Sequence, residues 1–526
     1  MRETTETEGS AGAGQGAAPP ARPARPTWIG LLVFAGALLL RLVYLGEARN
    51  DPLFDSPKLL GDAVYYDTSA RAVARGEWLA PTPYFLAPLY QYVMGLLYAV
   101  VGPQLLAVKL LQCVLGAASC ALLYGSGRRL FGQAAGILAG VLLAVYPLHI
   151  FYSGLILPTT LVVFLNLALL RVLVGGGEIP SPRRCLAAGA LLGLACAAKP
   201  NALLLLPALA LGLLWMGRGS RPRRALLGAA ALALGTLLVI APFTAHNAAS
   251  SGEFVLLTTT GGRNLMKGNG PAANGSHVFL PPTRTGTGLQ YHLSPGAEPA
   301  RAVADGRQMA RAARRYMLEH PLRTVRLWAK KFTLFFNVRE LFIRDHYYFA
   351  LRYSRLLGLP LPGFAVLAPL GLAGLAIAWR RGRRTTSLYV LFAAQLASFV
   401  PLFILARYRL VAVCCLLLFA AHLVVEVLRA LRGGRWRSLA LPAAVAVAAA
   451  LFAHIPFSEF PRERGFANQW ERLGDHFWEL GDRARAVGHY RDALGGDWLQ
   501  QDPEPQKARL RILIAEWEHG GQTPSE

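Results

Sequence analysis

Residues 408–428 read YRLVAVCCLLLFAAHLVVEVL. As a helix this stretch rises about 1.5 Å per residue and so reaches about 30 Å, the thickness of a bilayer's hydrocarbon core. Comparable apolar runs lie at 28–45, 104–124, 133–151, 153–174, 185–199, 201–217, 225–243, 360–379, 386–405 and 438–456. A shorter run, 86–101, is ambiguous. Across all 526 residues, 54% are hydrophobic, only 16% are charged, and the mean hydropathy is +0.36. A soluble enzyme is excluded, because soluble domains carry roughly 25% charged residues.

The formal charge of +24 would suggest nucleic acid in a soluble protein, so its address matters. If 86–101 does not cross, one side of the membrane holds nearly all the short-loop arginines. These are Arg128 and Arg129, Arg183 and Arg184, the groups at 218–224 and 380–384, and the group at 429–437. Short cytoplasmic loops collect such residues. The chain therefore reads as an all-α polytopic membrane protein with about 11 transmembrane helices, juxtamembrane helices on the outside face and a small α-helical C-terminal tail.

In this reading residues 1–27 form a disordered cytoplasmic tail of low complexity, and Trp28–Leu45 is an uncleaved anchor. Residues 28–456 make the membrane-embedded domain, with outside loops 46–103 and 244–359. Residues 457–526 lie outside. The 86–101 run becomes a juxtamembrane or re-entrant helix. The expected location is the bacterial cytoplasmic (inner) membrane, multi-pass, with the N-terminus cytoplasmic and the C-terminus outside or periplasmic. The basic stretch 300–337, interleaved with Trp328, Phe332, Phe335 and Phe336, suits a membrane surface; no nucleic-acid partner is expected. The six cysteines all fall in or at the ends of apolar runs and read as packing residues.

Polar residues near the outer face are the candidates for chemistry. Asp62 follows Gly61 and precedes Tyr65, Tyr66, Ser69, Ala70 and Val73, the spacing of an amphipathic helix that Gly76 could close. An aspartate there can act as a general base or serve as a plain N-cap. Asp51, Asp55 and Asp67 compete with it. Lys199 sits before Pro200 at a break between two apolar halves, and Arg407, Tyr408 and Arg409 open another run. Arg41 lies near the outer end of the first run. Cations gathered at that level suit the phosphate of a lipid, although each alone reads as a snorkelling residue. His149 and His246 fall at outer turns, and Asn269 lies in a Gly/Asn cluster of the second loop. In that loop Phe254–Leu257 reads as a short buried strand or interfacial segment. In the tail, Trp470, Leu473, Gly474, Phe477, Gly481, Ala486, Tyr490 and Ala493 fall at the small and aromatic positions of a tetratricopeptide-like repeat, about 467–500.

Together these motifs resemble the bacterial GT-C type integral membrane glycosyltransferases, family 39-like and related to the protein O-mannosyltransferases and the aminoarabinose transferase. The resemblance spans roughly residues 28–430. It rests on Gly61-Asp62-Ala63 with Tyr66, Gly76-Glu77-Trp78, Ala87-Pro88-Leu89-Tyr90 and Arg128-Arg129-Leu130-Phe131-Gly132. Lys199, the block from Gly252 to Pro271, and Ala406-Arg407-Tyr408-Arg409-Leu410 complete it.

The resemblance implies transfer of a sugar from a polyprenyl-phosphate donor to an acceptor hydroxyl on the outer face. It implies Asp62 as the catalytic residue, and Lys199, Arg407 and Arg409 as holders of the donor phosphate. Tyr66, Tyr408, His149, His246 and Asn269 are weaker substrate-binding candidates. The acceptor would be a lipid, a glycan or a protein, and the C-terminal repeat could bind a protein partner. No cofactor is required, and a divalent cation is compatible. Where many relatives carry a second acid, Ala63 stands here, so metal use stays open. Two other readings remain: a transporter or flippase of lipid-linked sugars, and a non-catalytic scaffold presenting the repeat. They separate on whether Asp62 and the cations converge.

Overall fold

The computed structural model describes residues 28–54, 61–174, 179–219, 221–278, 299–343, 346–457, 459–460, 465–498 and 503–518. The expected N-terminal tail and Asp55 lie outside the described residues. Among the described residues all regular structure is helical. In chain order the helices are α1 (Trp28–Ala48), α2 (Asp62–Ala74), α3 (Leu89–Val101), α4 (Leu105–Phe131), α5 (Gln133–Ala144), α6 (Pro147–Phe151), α7 (Thr159–Leu173) and α8 (Pro182–Ala198). Next come α9 (Leu205–Gly217), α10 (Pro222–Ser251), α11 (Gly261–Asn269), α12 (Pro299–Glu319), α13 (Pro321–Phe336), α14 (Tyr347–Ala350) and α15 (Arg355–Gly358). The last are α16 (Phe364–Ala378), α17 (Thr386–Phe399), α18 (Ala406–Arg432), α19 (Ala440–Ala453), α20 (Phe466–Glu479), α21 (Arg483–Gly495) and α22 (Glu504–Glu518).

Each apolar run expected to span contains a helix, but their lengths differ. Among the described residues six are long and apolar enough to cross a membrane: Trp28–Ala48, Leu105–Phe131, Pro200–Gly217, Pro222–Ser251, Ala406–Arg432 and Trp436–Ala453. Gln133–Ala144 with Pro147–Gly154, bent by 58°, would make a seventh. α7, α16 and α17 are apolar but only 14 or 15 residues long. At 1.5 Å per residue they reach only about 21–23 Å. Pro158, the Pro360–Pro362 stretch and the Pro401 turn take up residues that an apolar-run reading counts as helix.

α18 is the axis of the bundle. Its apolar window is 83% buried, against 11% for the span ending in α19. A run such as Leu416–Ala421 is hydrophobic all round because helices cover it on every side. Close approach is achieved with small residues, as membrane helices generally do. A Cβ on Gly374 of α16 would lie 2.0 Å from the Phe419 carbonyl oxygen of α18. On α8 and α10, Gly189 and Gly235 face each other's helices in the same way, at 2.2 and 2.3 Å from the Leu232 and Leu186 oxygens.

Two expectations change. Phe254–Leu257 is not a strand: it runs irregularly, and Asn247 Nδ2 donates to the Val255 and Leu257 carbonyls at 3.1 and 3.2 Å. A side chain therefore does what a neighbouring strand would have done. Arg41 does not face the outer surface. It is fully buried in the bundle, where it donates to the Ala37 carbonyl at 2.8 Å and lies 2.6 Å from His149 Nδ1.

The C-terminal helices α20–α22 have their own small core, including Ala467, Ala486, Tyr490 and Leu510. Gly474 makes room for Tyr490, whose ring would lie 2.3 Å from a Cβ there. The hairpin docks on the membrane domain through Leu53, Phe349 and Leu473, and the Arg352 guanidinium lies 4.7 Å from the Trp470 ring.

Candidate active site

Three segments distant in sequence meet at one end of the bundle. The first is the start of α2. Gly61 precedes it with φ 55°, a left-handed-side conformation that favours glycine, and so turns the chain into the helix. Asp62 is the first helical residue, and the N-cap position before it is held by Gly61. The plain N-cap reading is therefore not what the carboxylate does. Its Oδ2 instead accepts from Arg407 Nη1 and Nη2 at 3.3 and 3.4 Å.

Arg407 comes from the first turn of α18, after Leu405 enters in extended backbone. The third segment is Lys199. Pro200 disfavours helical backbone at the residue before it, so α8 ends there and Lys199 adopts φ −154°. Its Nζ lies 3.7 Å from the centre of the Tyr408 ring, a cation–π contact. The Arg407 guanidinium lies 5.3 Å from the same ring, and Phe399 stacks on it at 5.1 Å. Asn201 Nδ2 donates to Ser398 Oγ at 3.1 Å and ties the Lys199 break to the end of α17.

The cluster is open to approach, with the Asp62 side chain 42% exposed and Arg407 20%. Tyr66 lies beneath it, buried, with its ring edge-on to Tyr65 and Tyr90. Burial, and then the negative charge of Asp62, hold its hydroxyl well above the usual phenol range. Two cations and one carboxylate leave a surplus positive charge, which suits an anionic oxygen group such as a phosphate. They do not make up a divalent-cation site. Asp62 is turned to a guanidinium, and hard cations take several oxygen donors. Among the described residues no three His, Cys, Asp or Glu are gathered as metal ligands.

The other expected site residues lie elsewhere. Arg409 is sealed: Nη1 donates to the Phe335 and Asn337 carbonyls at 3.0 and 2.6 Å, and Nη2 to the Arg339 carbonyl at 3.2 Å and to Glu340. Its guanidinium also lies 4.1 Å from the Phe364 ring. His149 is buried against Arg41. His246 packs 4.7 Å from the Tyr84 ring, beside Asn247, whose Oδ1 accepts from the Tyr84 amide at 2.9 Å. Asn269 is a buried hub. Its Nδ2 donates to the Pro401 carbonyl at 2.7 Å, and its Oδ1 accepts from Trp328 Nε1 at 2.9 Å and Lys331 Nζ at 3.0 Å.

Sequence reasoning missed Lys331 and Glu340, both buried. Burial pulls the Lys331 ammonium down to about 7. It pushes the Glu340 carboxyl up, against the opposing pull of Arg409. One signal was available for Arg409: residues two apart on a helix face nearly opposite ways, so Arg407 and Arg409 could not share one ligand easily.

Residues 83–246 match the family model described as dolichyl-phosphate-mannose-protein mannosyltransferase. That segment holds Lys199 but neither Asp62 nor Arg407. The structure is similar to that of the archaeal oligosaccharyltransferase AglB from Archaeoglobus fulgidus, solved with an inhibitory peptide and a dolichol-phosphate. The identity is 12%, the TM-score 0.45, and the match covers 87% of this chain and 59% of that one. A second structure of the Archaeoglobus fulgidus oligosaccharyltransferase, with Zn and sulfate, matches at 14% identity and TM-score 0.45, covering 87% and 57%. ArnT from Cupriavidus metallidurans bound to undecaprenyl phosphate matches at 16% identity and TM-score 0.43, covering 93% and 76%. The chain thus spans about three fifths of the length of the oligosaccharyltransferases it matches. No curated protein matches it. Over residues 83–246 the chain is similar to the dolichyl-phosphate-mannose-protein mannosyltransferase family, in keeping with the GT-C resemblance of its motifs.

Proposed function

We propose that the protein is a glycosyltransferase that moves a sugar from a polyprenyl-phosphate-linked donor to an acceptor hydroxyl at the outer face of the cytoplasmic membrane. The observation that carries this reading is the meeting of Asp62, Lys199 and Arg407 at one end of the bundle. A scaffold needs no such convergence.

Asp62 takes the proton of the acceptor hydroxyl. The acceptor oxygen attacks the anomeric carbon as the bond from that carbon to the phosphate oxygen breaks. The electron pair leaves with the phosphate, where Lys199 and Arg407 stabilise the growing charge. Direct displacement inverts the sugar centre. Arg407 has a dual part, since its guanidinium holds Asp62 until a phosphate competes for it. Tyr66 keeps its proton and can donate to an oxygen above it. Among the described residues no divalent-cation set is gathered, and the step above is written without one. Arg409 serves in this scheme by holding the first turn of α18.

The topology goes with this reading: eleven spans, the N-terminus in the cytoplasm and the C-terminus outside. Arg128 and Arg129 at the end of α4 and Arg171 at the end of α7 lie near Arg184, at the start of α8. Lys199 is at the other end of α8. That the arginine group and Lys199 stand at opposite ends of α8 supports this orientation, since the positive-inside rule asks for arginines on the cytoplasmic side. The acceptor is a lipid, glycan or protein, and α20–α21 form a tetratricopeptide-like hairpin through which a protein partner binds.

The test is transfer of a labelled sugar from polyprenyl phosphate in proteoliposomes, comparing wild type with Asp62→Asn. The substitution should remove transfer while leaving the protein folded. Equal turnover would take Asp62 out of the mechanism, and no transfer by the wild type with several donors would favour the transporter or the scaffold.

A further inference from the structure

The 244–359 segment carries an apolar face that the described residues leave uncovered. On α13, Leu322, Val325 and Phe332 are 74%, 64% and 42% exposed. With Ala329 they recur at intervals of three and four residues and form one stripe along the helix. Leu318, 81% exposed near the end of α12, lies just before the His320–Pro321 break. The stripe runs toward the last span. Phe332 and Phe336 pack 6.2 and 6.3 Å from Phe452 of α19. The Val338 amide donates to the Ala453 carbonyl at 3.0 Å. α19 shows Leu441, Val447 and Leu451 outward, at 58%, 60% and 71% exposure, as a lipid-facing helix does. The uncovered face of α13 is therefore continuous with a face that meets acyl chains.

Charge accompanies the stripe. Arg326 borders it, and Arg311, Arg314 and Arg315 lie one to two turns before Leu318; all four are exposed. Among the described residues none of these four makes an ion pair, whereas Arg307 is paired with Glu253 and Lys330 with Glu459. The opposite edge of α13 is fixed by Lys331 and Trp328 to Asn269. The helix cannot roll its apolar stripe inward without breaking that hub.

We propose that α13 lies in the headgroup–acyl boundary of the outer leaflet, with Leu322, Val325 and Phe332 inserted. In that seat Arg326 and the Arg311–Arg315 group bind the phosphodiester headgroups of anionic phospholipid. Guanidinium groups pair with phosphate oxygens in a bidentate fork, and an amphipathic helix gains both apolar burial and charge attraction in this position.

The experiment uses the full chain in vesicles of phosphatidylcholine alone or with one quarter phosphatidylglycerol. The six native cysteines are all buried, so a nitroxide on Val325→Cys labels selectively. Its collisions with oxygen should exceed those with a water-soluble nickel chelate, and the reverse should hold for a label on Arg315→Cys. Spin-labelled phosphatidylglycerol should be held at the protein several-fold more than spin-labelled phosphatidylcholine. The excess should fall in the quadruple Arg→Gln variant at 311, 314, 315 and 326, with transfer activity not consulted. A water-exposed label at 325 in both vesicles would overturn the seat and leave the stripe to a partner protein. A buried label with no preference for the anionic lipid would overturn the headgroup site.

Discussion

Arg407 and Arg409 stand two residues apart in the first turn of α18 and occupy two different media. Arg407 is on the open side and shares its charge with a half-exposed carboxylate. Arg409 is 2% exposed, held by three backbone carbonyls and Glu340, itself 8% exposed. The difference separates two regions. The Asp62–Lys199–Arg407 corner keeps its charges available. The α13–α14 connection around Glu340 spends its charges on holding the helix that delivers Arg407. An ion pair in water contributes little to stability, while one in a sealed site becomes indispensable once formed.

The largest effect should therefore come from the sealed residue. Arg409→Met leaves Glu340 buried without its partner and three carbonyls without a donor. Breaking such a pair costs about 3–5 kcal/mol. Chemical unfolding in detergent should show that loss. A change under about 1 kcal/mol, the range of exposed pairs, would mean that water reaches Arg409 and that the two regions are alike.

Arg407→Ala should do the reverse. Removing one preorganised donor to a developing charge slows turnover by about 10²–10³-fold. Arg407→Lys should recover only part of that, because a lysine cannot present the two-pronged fork. Both variants should unfold within about 1 kcal/mol of wild type. If turnover survives Arg407→Ala but not Lys199→Ala, the donor phosphate rests on Lys199 alone.

Much of this contrast was written in the sequence and part was not. The helices were legible because an apolar run such as 408–428 can satisfy its backbone in lipid only by coiling. Asp62, Lys199 and Arg407 were legible because each stands beside a break: Gly61, Pro200 and the Pro401 turn. Span number was less so, because apolarity does not mark where α7, α16 and α17 stop. Arg409 was grouped with Arg407 because its type and position near the outer end matched, whereas the structure seals it away from the Asp62 corner. What seals it, the carbonyls of Phe335 and Asn337, comes from more than 70 positions away in the chain. Arg41 was misplaced for the same reason, since nothing at position 41 announces His149.

Lys331 sharpens the comparison as a third cation, buried like Arg409 but with neutral acceptors among the described residues, Asn269 Oδ1 and the Pro401 carbonyl. It can shed its proton where an arginine cannot. Its ammonium falls from an ordinary 10.5 to about 7 on folding. Between those values the unfolded chain binds more protons than the folded one, so stability rises with pH. The contribution is complete above 10.5 and lost as pH falls to 7. Between pH 7 and 9.5 wild type should gain on Lys331→Met, by at most about 1.4 kcal/mol per pH unit. A difference independent of pH would mean that Lys331 keeps its proton in the fold.

The smallest expected effect is on the stability contributed by Asp62. With its side chain 42% exposed and Arg407 held 3.3 Å away, the pair belongs to the class contributing about 0–1 kcal/mol. Asp62→Asn keeps the shape and removes the charge, so the unfolding midpoint should hardly move. What change there is should fade between 0.05 and 0.5 M salt, because exposed charges are screened over a few ångströms at high ionic strength. The measurement bears on more than stability. A carboxylate needed for the fold would lose several kcal/mol on neutralisation and keep that loss in high salt. One reserved for a proton would lose almost nothing in unfolding and nearly everything in transfer. A large salt-insensitive loss would put Asp62 with Arg409 among the structural charges, and the open corner would no longer differ from the sealed one.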